Sequence, residues 1–340
     1  AITIGKIFNA PPLILLYLAR LFNLFAWIIL IFWAIKIIPF YKWLFFILAL
    51  MPMSVFQASS VSADVLTNGI AFLFIALVFE LAFVPSKSLR KIDLWGLIIL
   101  LILLILSKYA YSLLIFLYFL IPVHKSGSIR KYILNAFPLF IIAGLTLLIG
   151  SLFVKHIYES INPTLNYYWN LQGISNIHVD LQFQFIITHI GLYFKTVMLS
   201  FWENKWFLFG SFIGNLGWLD TSLPQFYIII AFSVLFLTAL SEHHENLNIS
   251  LKKKAVLLIS LGSIIFVIFT LLYLSWTTVG KSLIEGMQGR YLIPVGPIFF
   301  TLFYNRKWKI PEIIVTYISV IFIIVSFLVM TTALINRYYC

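Results

Sequence analysis

Ten apolar segments, at roughly 12–38, 43–58, 61–84, 93–107, 109–123, 132–154, 224–241, 255–276, 291–304 and 312–335, occupy most of this chain. Backbone N–H and C=O groups in lipid have no water to bond, so such segments must satisfy themselves as helices. A full span of a hydrocarbon core about 30 Å thick needs about 20 residues at about 1.5 Å each. Several of the ten are shorter, so half-length helices are expected beside full spans. With 62% hydrophobic and 10% charged residues in 340, the fold class is an all-α, polytopic integral membrane helical bundle. A single membrane domain is expected over 1–340.

Residues 93–123 as one helix would run about 46 Å, too long for one span without strong tilt. Two half-length helices turning at "SKYAY", with Lys108 at the tip, fit better. Such a hairpin returns the chain to the side it came from. Lys42, "KSLRK" (87–91), "HKSGSIRK" (124–131), "SLKKK" (250–254) and "NRKWK" (305–309) then share one face. The net charge of +12 is therefore read as topology, with the basic loops cytoplasmic, and not as a nucleic-acid partner. The turn near 57–64, the stretch 277–290 and the segment 155–223 face outward, the last as a loop region in which 184–200 either lies in the interface as an amphipathic helix or forms an ordinary structural cap on the bundle.

The one cysteine is Cys340, and His243 and His244 sit side by side in a charged loop, so neither a metal site nor a cofactor is expected. The chain carries no Walker loop, GxGxxG, HExxH or GxSxG, and no paired-acid DxD for a nucleotide-sugar.

"QASSVSADVLTNG" (57–69) stands out against this background. Ser59, Ser60, Ser62 and Asp64 suit the cap and first turn of the helix 61–84, where they meet free N–H groups and the positive end of the helix dipole. Capping does not account for Gln57, Thr67 and Asn68, nor for an acid within a span, and these imply a solvated outer cavity. Three cations are able to converge on it: Arg20 (with Asn23 almost one turn on), Lys108, and Arg290, about 21 Å from the inner edge near Tyr304. Such a cluster suits the phosphate of a lipid carrier, with Tyr291 beside it and Gln57, Ser62, Asn68, Trp218 and Gln288 shaping the pocket. In "GNLGWLDTSLP" (214–224), Asp220 either caps the next helix or serves this cavity, and Trp218 fits an interfacial aromatic belt.

"LMPMSVFQASSVSADVLTNGIAFLF", "GWLDTSLP" and "QGRYLIPVGP", with "LYLARLFNLFAW" near the start, resemble the signature segments of the bacterial multi-spanning family called domain of unknown function 2142. Their order and spacing match over nearly the whole chain. That family is similar in architecture to the C-fold glycosyltransferases, which move a sugar from a polyprenyl-phosphate carrier to an acceptor on the outer face. The resemblance implies a catalytic acid in the first outer loop. The chain, read as a fragment beginning within or just after that loop, leaves Asp64 and Asp220 as the remaining candidate acids.

The expectation is thus a membrane glycosyltransferase with a polyprenyl-phosphate-linked sugar as donor, a glycan or lipid as acceptor, and membrane lipids as surroundings. A carrier or flippase of lipid-linked sugar would use the same cations, with repeat symmetry and helices broken at the midplane. A scaffold subunit of an envelope-polysaccharide complex would use its polar residues for packing alone.

Overall fold

The computed structural model describes residues 11–171, 177–241, 247, 249–305 and 310–339, and side chains throughout these except 153–171. His243, His244, residues 306–309 and Cys340 lie outside the described residues. The helices are α1 (Pro12–Ile37), α2 (Lys42–Leu50), α3 (Pro52–Ala58), α4 (Asp64–Phe83), α5 (Lys91–Ser107), α6 (Ile129–Leu171), α7 (Val179–Thr188), α8 (Ile190–Ile213), α9 (Gln225–Ser241), α10 (Leu251–Ser275), α11 (Gly296–Thr301) and α12 (Glu312–Tyr338). Two longer 3-10 segments, Tyr109–Leu120 and Gly289–Val295, join them, and β1 (Asn215–Leu216) pairs antiparallel with β2 (Thr221–Ser222). Five helices are long and apolar enough to cross a membrane among the described residues: α1, α4, Ile129–Leu152 of α6, α10 and α12. The pair α7 and α8, bent by 107°, makes a sixth if it is one broken span.

Helix α4 is the centre. It is apolar around its whole circumference, and a helix of that kind belongs inside a bundle. Its hydropathic window is 78% buried, against 11% for α1, whose outer side chains Leu13, Leu21, Phe25 and Phe32 are exposed and suit lipid. α1, α5 and both 3-10 segments pack on α4.

Breaks in the helices follow from local chemistry. The apolar run 43–58 is two helices, because Pro52 drives Met51 into extended backbone (ψ 152°) and starts α3 at its first position. The Ser54 hydroxyl donates to Leu48 O (2.7 Å), one of the carbonyls this break frees. The serines follow the capping expectation only in part: Ser62 Oγ accepts the Asp64 N–H (3.2 Å), but Ala63, directly before α4, offers no side-chain cap. Ser59 and Ser60 instead donate back to Phe56 O and Gln57 O at the end of α3.

At Lys108 the chain is extended (φ −156°, ψ 120°), ending α5 and starting the 3-10 return. The return is only 12 residues, but at about 2.0 Å per residue it reaches about 24 Å, matching the about 26 Å of the 17-residue α5. The arms of this hairpin are short in sequence yet nearly as long as the membrane core is thick.

Residues 184–200 form no single interfacial helix. α7 ends at Thr188, whose hydroxyl donates back to Gln184 O (2.8 Å), and α8 leaves at a steep angle after His189. Most of the segment 155–223 is helical, with α6 continuing to Leu171 and α7 and α8 following.

The basic loops gather at one end of the bundle. Lys87 pairs with Glu80 (3.1 Å), Arg90 with Asp93 (3.0 Å), and Lys253 lies over the Phe83 ring (4.2 Å). Lys125 Nζ donates to Leu81 O (2.7 Å) and Val84 O (2.5 Å), and Lys254 Nζ to Leu302 O (2.8 Å). Each of these lysines closes carbonyls at a helix C-terminus, where cations are favoured. Burial, then repulsion from Lys253, holds Lys125 below the usual lysine range.

Candidate functional site

The other end of α4 carries the polar cluster. Asp64 stands in the first turn, and its backbone N–H donates to Ser62 Oγ (3.2 Å). The turn before it is tied to α1 by Asn23, whose amide donates to Ser60 O (2.9 Å) and Ser62 O (3.2 Å). One turn further along α4, Asn68 donates to Gln57 Oε1 (3.0 Å), and Gln57 Nε2 donates to Asp64 Oδ2 (2.9 Å). Gln57 and Asn68 are both 2% exposed. A buried relay from α4 through α3 thus fixes one carboxylate oxygen, and such chains of satisfied polar groups hold geometry rigidly.

The second oxygen, Oδ1, receives Lys108 Nζ. The extended backbone at the hairpin corner is what turns this side chain toward α4. Arg290 approaches from the segment 288–291, its Nε 3.8 Å from Asp64 Oδ2. That is ion-pair range but beyond hydrogen-bond reach. Nε is buried and has no hydrogen-bond partner among the described residues. Tyr291 stands between the cations: Lys108 Nζ lies 4.6 Å and Arg290 Cζ 5.5 Å from its ring centroid. Its own carbonyl accepts the hydroxyl of Tyr111 (2.7 Å).

The path of 288–291 depends on glycine. A Cβ on Gly289 would lie 1.9 Å from Leu208 O and 2.4 Å from Phe212 N, so the segment runs in direct backbone contact with α8. The Gly289 N–H donates to Ser211 Oγ (2.7 Å) there. Gln288 Oε1 beside it is buried without a partner among the described residues.

A cavity of about 440 Å³ opens beside Lys108 and is lined by Ser107, Tyr109, Tyr111 and Tyr291 and by a larger apolar wall that includes Ile105 and Leu106 of α5 and Ile268, Leu271 and Leu272 of α10. Lys108 and Arg290 are each 33% exposed at the side chain and Asp64 13%, so the cations face outward while the acid lies beneath them. Two cations against one carboxylate leave one positive charge uncompensated in a cluster whose Lys108 lines the pocket.

Of the residues expected here, Asp64, Lys108, Arg290, Tyr291, Gln57, Asn68 and Ser62 come together, with Gln288 adjacent in the chain. Arg20 does not. It is exposed on α1 with its guanidinium 5.7 Å from the Tyr17 ring, on the face that suits lipid. Its neighbour Asn23 is the side chain of that helix that reaches the turn.

Asp220 belongs to a different constellation. Its Oδ2 accepts Arg337 of α12 (2.6 Å), and its Oδ1 accepts the Trp218 N–H (3.1 Å) and the Thr221 hydroxyl (3.3 Å). The bond from Arg337 holds this carboxyl below its usual range. Trp218 is 95% exposed at the hairpin tip. Tyr111 and Arg337 had no signal in the sequence, since their partners lie 180 and 117 residues away.

No curated protein and no solved structure matches the chain. The model of the family described as "Predicted membrane protein (DUF2142)" matches residues 1–299, and the chain belongs to that family.

Proposed function

We propose that the protein is a membrane glycosyltransferase that moves a sugar from a polyprenyl-phosphate carrier to a glycan or lipid acceptor, at the outer face of a bacterial cytoplasmic membrane. The observation that carries this reading is the pair Lys108 and Arg290, gathered on one acid, with Lys108 itself lining a largely apolar cavity. A sugar-linked polyprenyl phosphate is a phosphodiester with one negative charge and an apolar tail. That matches a site with one surplus positive charge and an apolar wall.

In the transfer, the acceptor oxygen attacks the anomeric carbon while the bond from that carbon to the phosphate oxygen breaks. The electron pair leaves with the phosphate, whose charge grows, and the acceptor proton passes to a carboxylate base. Lys108 and Arg290 are placed to stabilise that growing charge, an electrostatic effect that is large when the donors are preorganised in a dry site. Asp64 serves in this reading as the counter-ion that preorganises them, and Asp220 acts at the hairpin.

The test is turnover of a polyprenyl-phosphate-linked sugar by full-length protein in lipid nanodiscs with an acceptor mixture present. Arg290→Ala should lower turnover at least tenfold with folding intact, and Arg290→Lys should restore part of it. Binding without turnover in the unaltered protein would make it a carrier, and no binding at all would leave a scaffold.

A further inference from the structure

A second polar recess lies where the β-hairpin meets the outer end of α12, apart in its contacts from the cluster around Asp64. It encloses about 570 Å³. Its polar lining is Asp220, Thr221 and Ser222 from the hairpin and Thr332, Asn336 and Arg337 from α12. Toward the middle of α12 the wall becomes apolar, with Leu328, Val329 and Ala333.

The hairpin is held in a conformation its sequence does not favour. Leu219 has φ 68°, one of two positive values on non-glycine residues among the described ones, and Gly217 has φ 64°. Strained backbone of this kind persists only where the surroundings fix it. Here Asp220 does so by accepting the Trp218 N–H and the Arg337 guanidinium, and a Cβ on Gly217 would lie 2.3 Å from Asp220 Oδ1. The outcome is a fixed turn that holds the Trp218 indole away from the protein.

The chemistry of the recess is uncharged in sum. Asp220 and Arg337 neutralise one another, so unlike the site at Lys108 it has no surplus for an anion. Thr332 and Asn336 make no hydrogen bond among the described residues and are exposed, which leaves a hydroxyl and an amide with donors and acceptors to offer. Short polar side chains beside a paired carboxylate and guanidinium suit the hydroxyls of a polyhydroxylated ring. The apolar wall below them suits a chain that enters from the membrane.

We infer that the recess between the 215–222 hairpin and the outer end of α12 binds the neutral, hydroxylated headgroup of a glycolipid, with Asn336, Thr332 and the Asp220–Arg337 pair taking its hydroxyls. The inference does not depend on the transfer reading: a glycolipid bound here serves an acceptor, a regulator or a structural lipid alike.

The experiment uses full-length protein in nanodiscs doped with glucosyl diacylglycerol carrying a photoreactive group on the sugar, the crosslinked peptides being mapped by mass spectrometry. Label should concentrate on 215–222 and 328–337. Unlabelled glucosyl diacylglycerol should compete, and phosphatidylglycerol should not. Asn336→Leu and Thr332→Val should each lower labelling at least fivefold, Asn336→Gln should keep most of it because the amide remains, and Arg290→Ala should leave it unchanged. Label spread evenly over the outer loops, equal competition by phosphatidylglycerol, or indifference to Asn336→Leu would overturn the inference. Labelling that survives Arg290→Ala is read independently of turnover, so a failure of the transfer reading and a failure of this inference are distinguishable.

Discussion

Asp64 occupies the place that an incoming anion would claim. Its two oxygens are engaged by Gln57 and Lys108, and Arg290 stands 3.8 Å away. A lipid phosphate that binds the two cations must therefore compete with a resident carboxylate. Asp64→Asn keeps the shape of the side chain and removes that competitor. The expected result is tighter binding of polyprenyl phosphate in nanodiscs by about tenfold, equivalent to about 1.4 kcal/mol. Weaker binding would mean that Asp64 is needed chiefly to place Lys108 and Arg290. The residue types of this site were legible because polar and charged side chains inside apolar segments require a reason. Which of them meet was less so. Arg20 sits in a helix as apolar as that of its neighbours, and only packing decides that Asn23 turns inward and Arg20 outward. Asp220 was legible as an exposed acid, but its partner Arg337 was not, because nothing local links positions 117 residues apart.

At the level of elements, the site depends on how closely the 288–291 segment lies on α8. The contact at Gly289 is backbone against backbone, with no flexible side chain to give way. Gly289→Ala should therefore push the segment off α8, break the hydrogen bond to Ser211 and displace Arg290. Overpacking of this kind costs about 1–3 kcal/mol, so thermal unfolding in detergent should fall to lower temperature. Phosphate binding should fall with it, and an unchanged Tm would count against the close approach. Element boundaries were legible where proline or a length argument spoke. The extent of 93–123 against the membrane thickness gave the break at Lys108, and Pro52 explains the break that an apolar run conceals. The bend at His189 and the 3-10 winding of Tyr109–Leu120 carry no such mark, because hydropathy does not distinguish about 1.5 from about 2.0 Å per residue.

The whole molecule is polarised along α4. Its 20 residues span about 30 Å, the thickness of the hydrocarbon core, with Asp64, Lys108 and Arg290 at the N-terminal end and Glu80, Lys87, Lys125 and Lys253 at the C-terminal end. The shared face of the basic loops follows from parity alone once 93–123 is read as a hairpin, so this large-scale feature was legible where finer ones were not. From the bias of charge we propose an orientation with the lysine-rich end toward the cytoplasm and the Asp64 end outward. Two exposed serines at opposite ends test it: Ser59 in the turn before α4 and Ser128 in the loop before α6. With Cys340→Ser as background, Ser59→Cys should react with a membrane-impermeant maleimide in intact spheroplasts, and Ser128→Cys only after permeabilisation. The reverse pattern would put Lys108 and Arg290 on the cytoplasmic side, and a carrier loaded with sugar on the outer face could not reach them. Labelling of both from one side would mean that the two ends of α4 do not correspond to the two faces of the membrane.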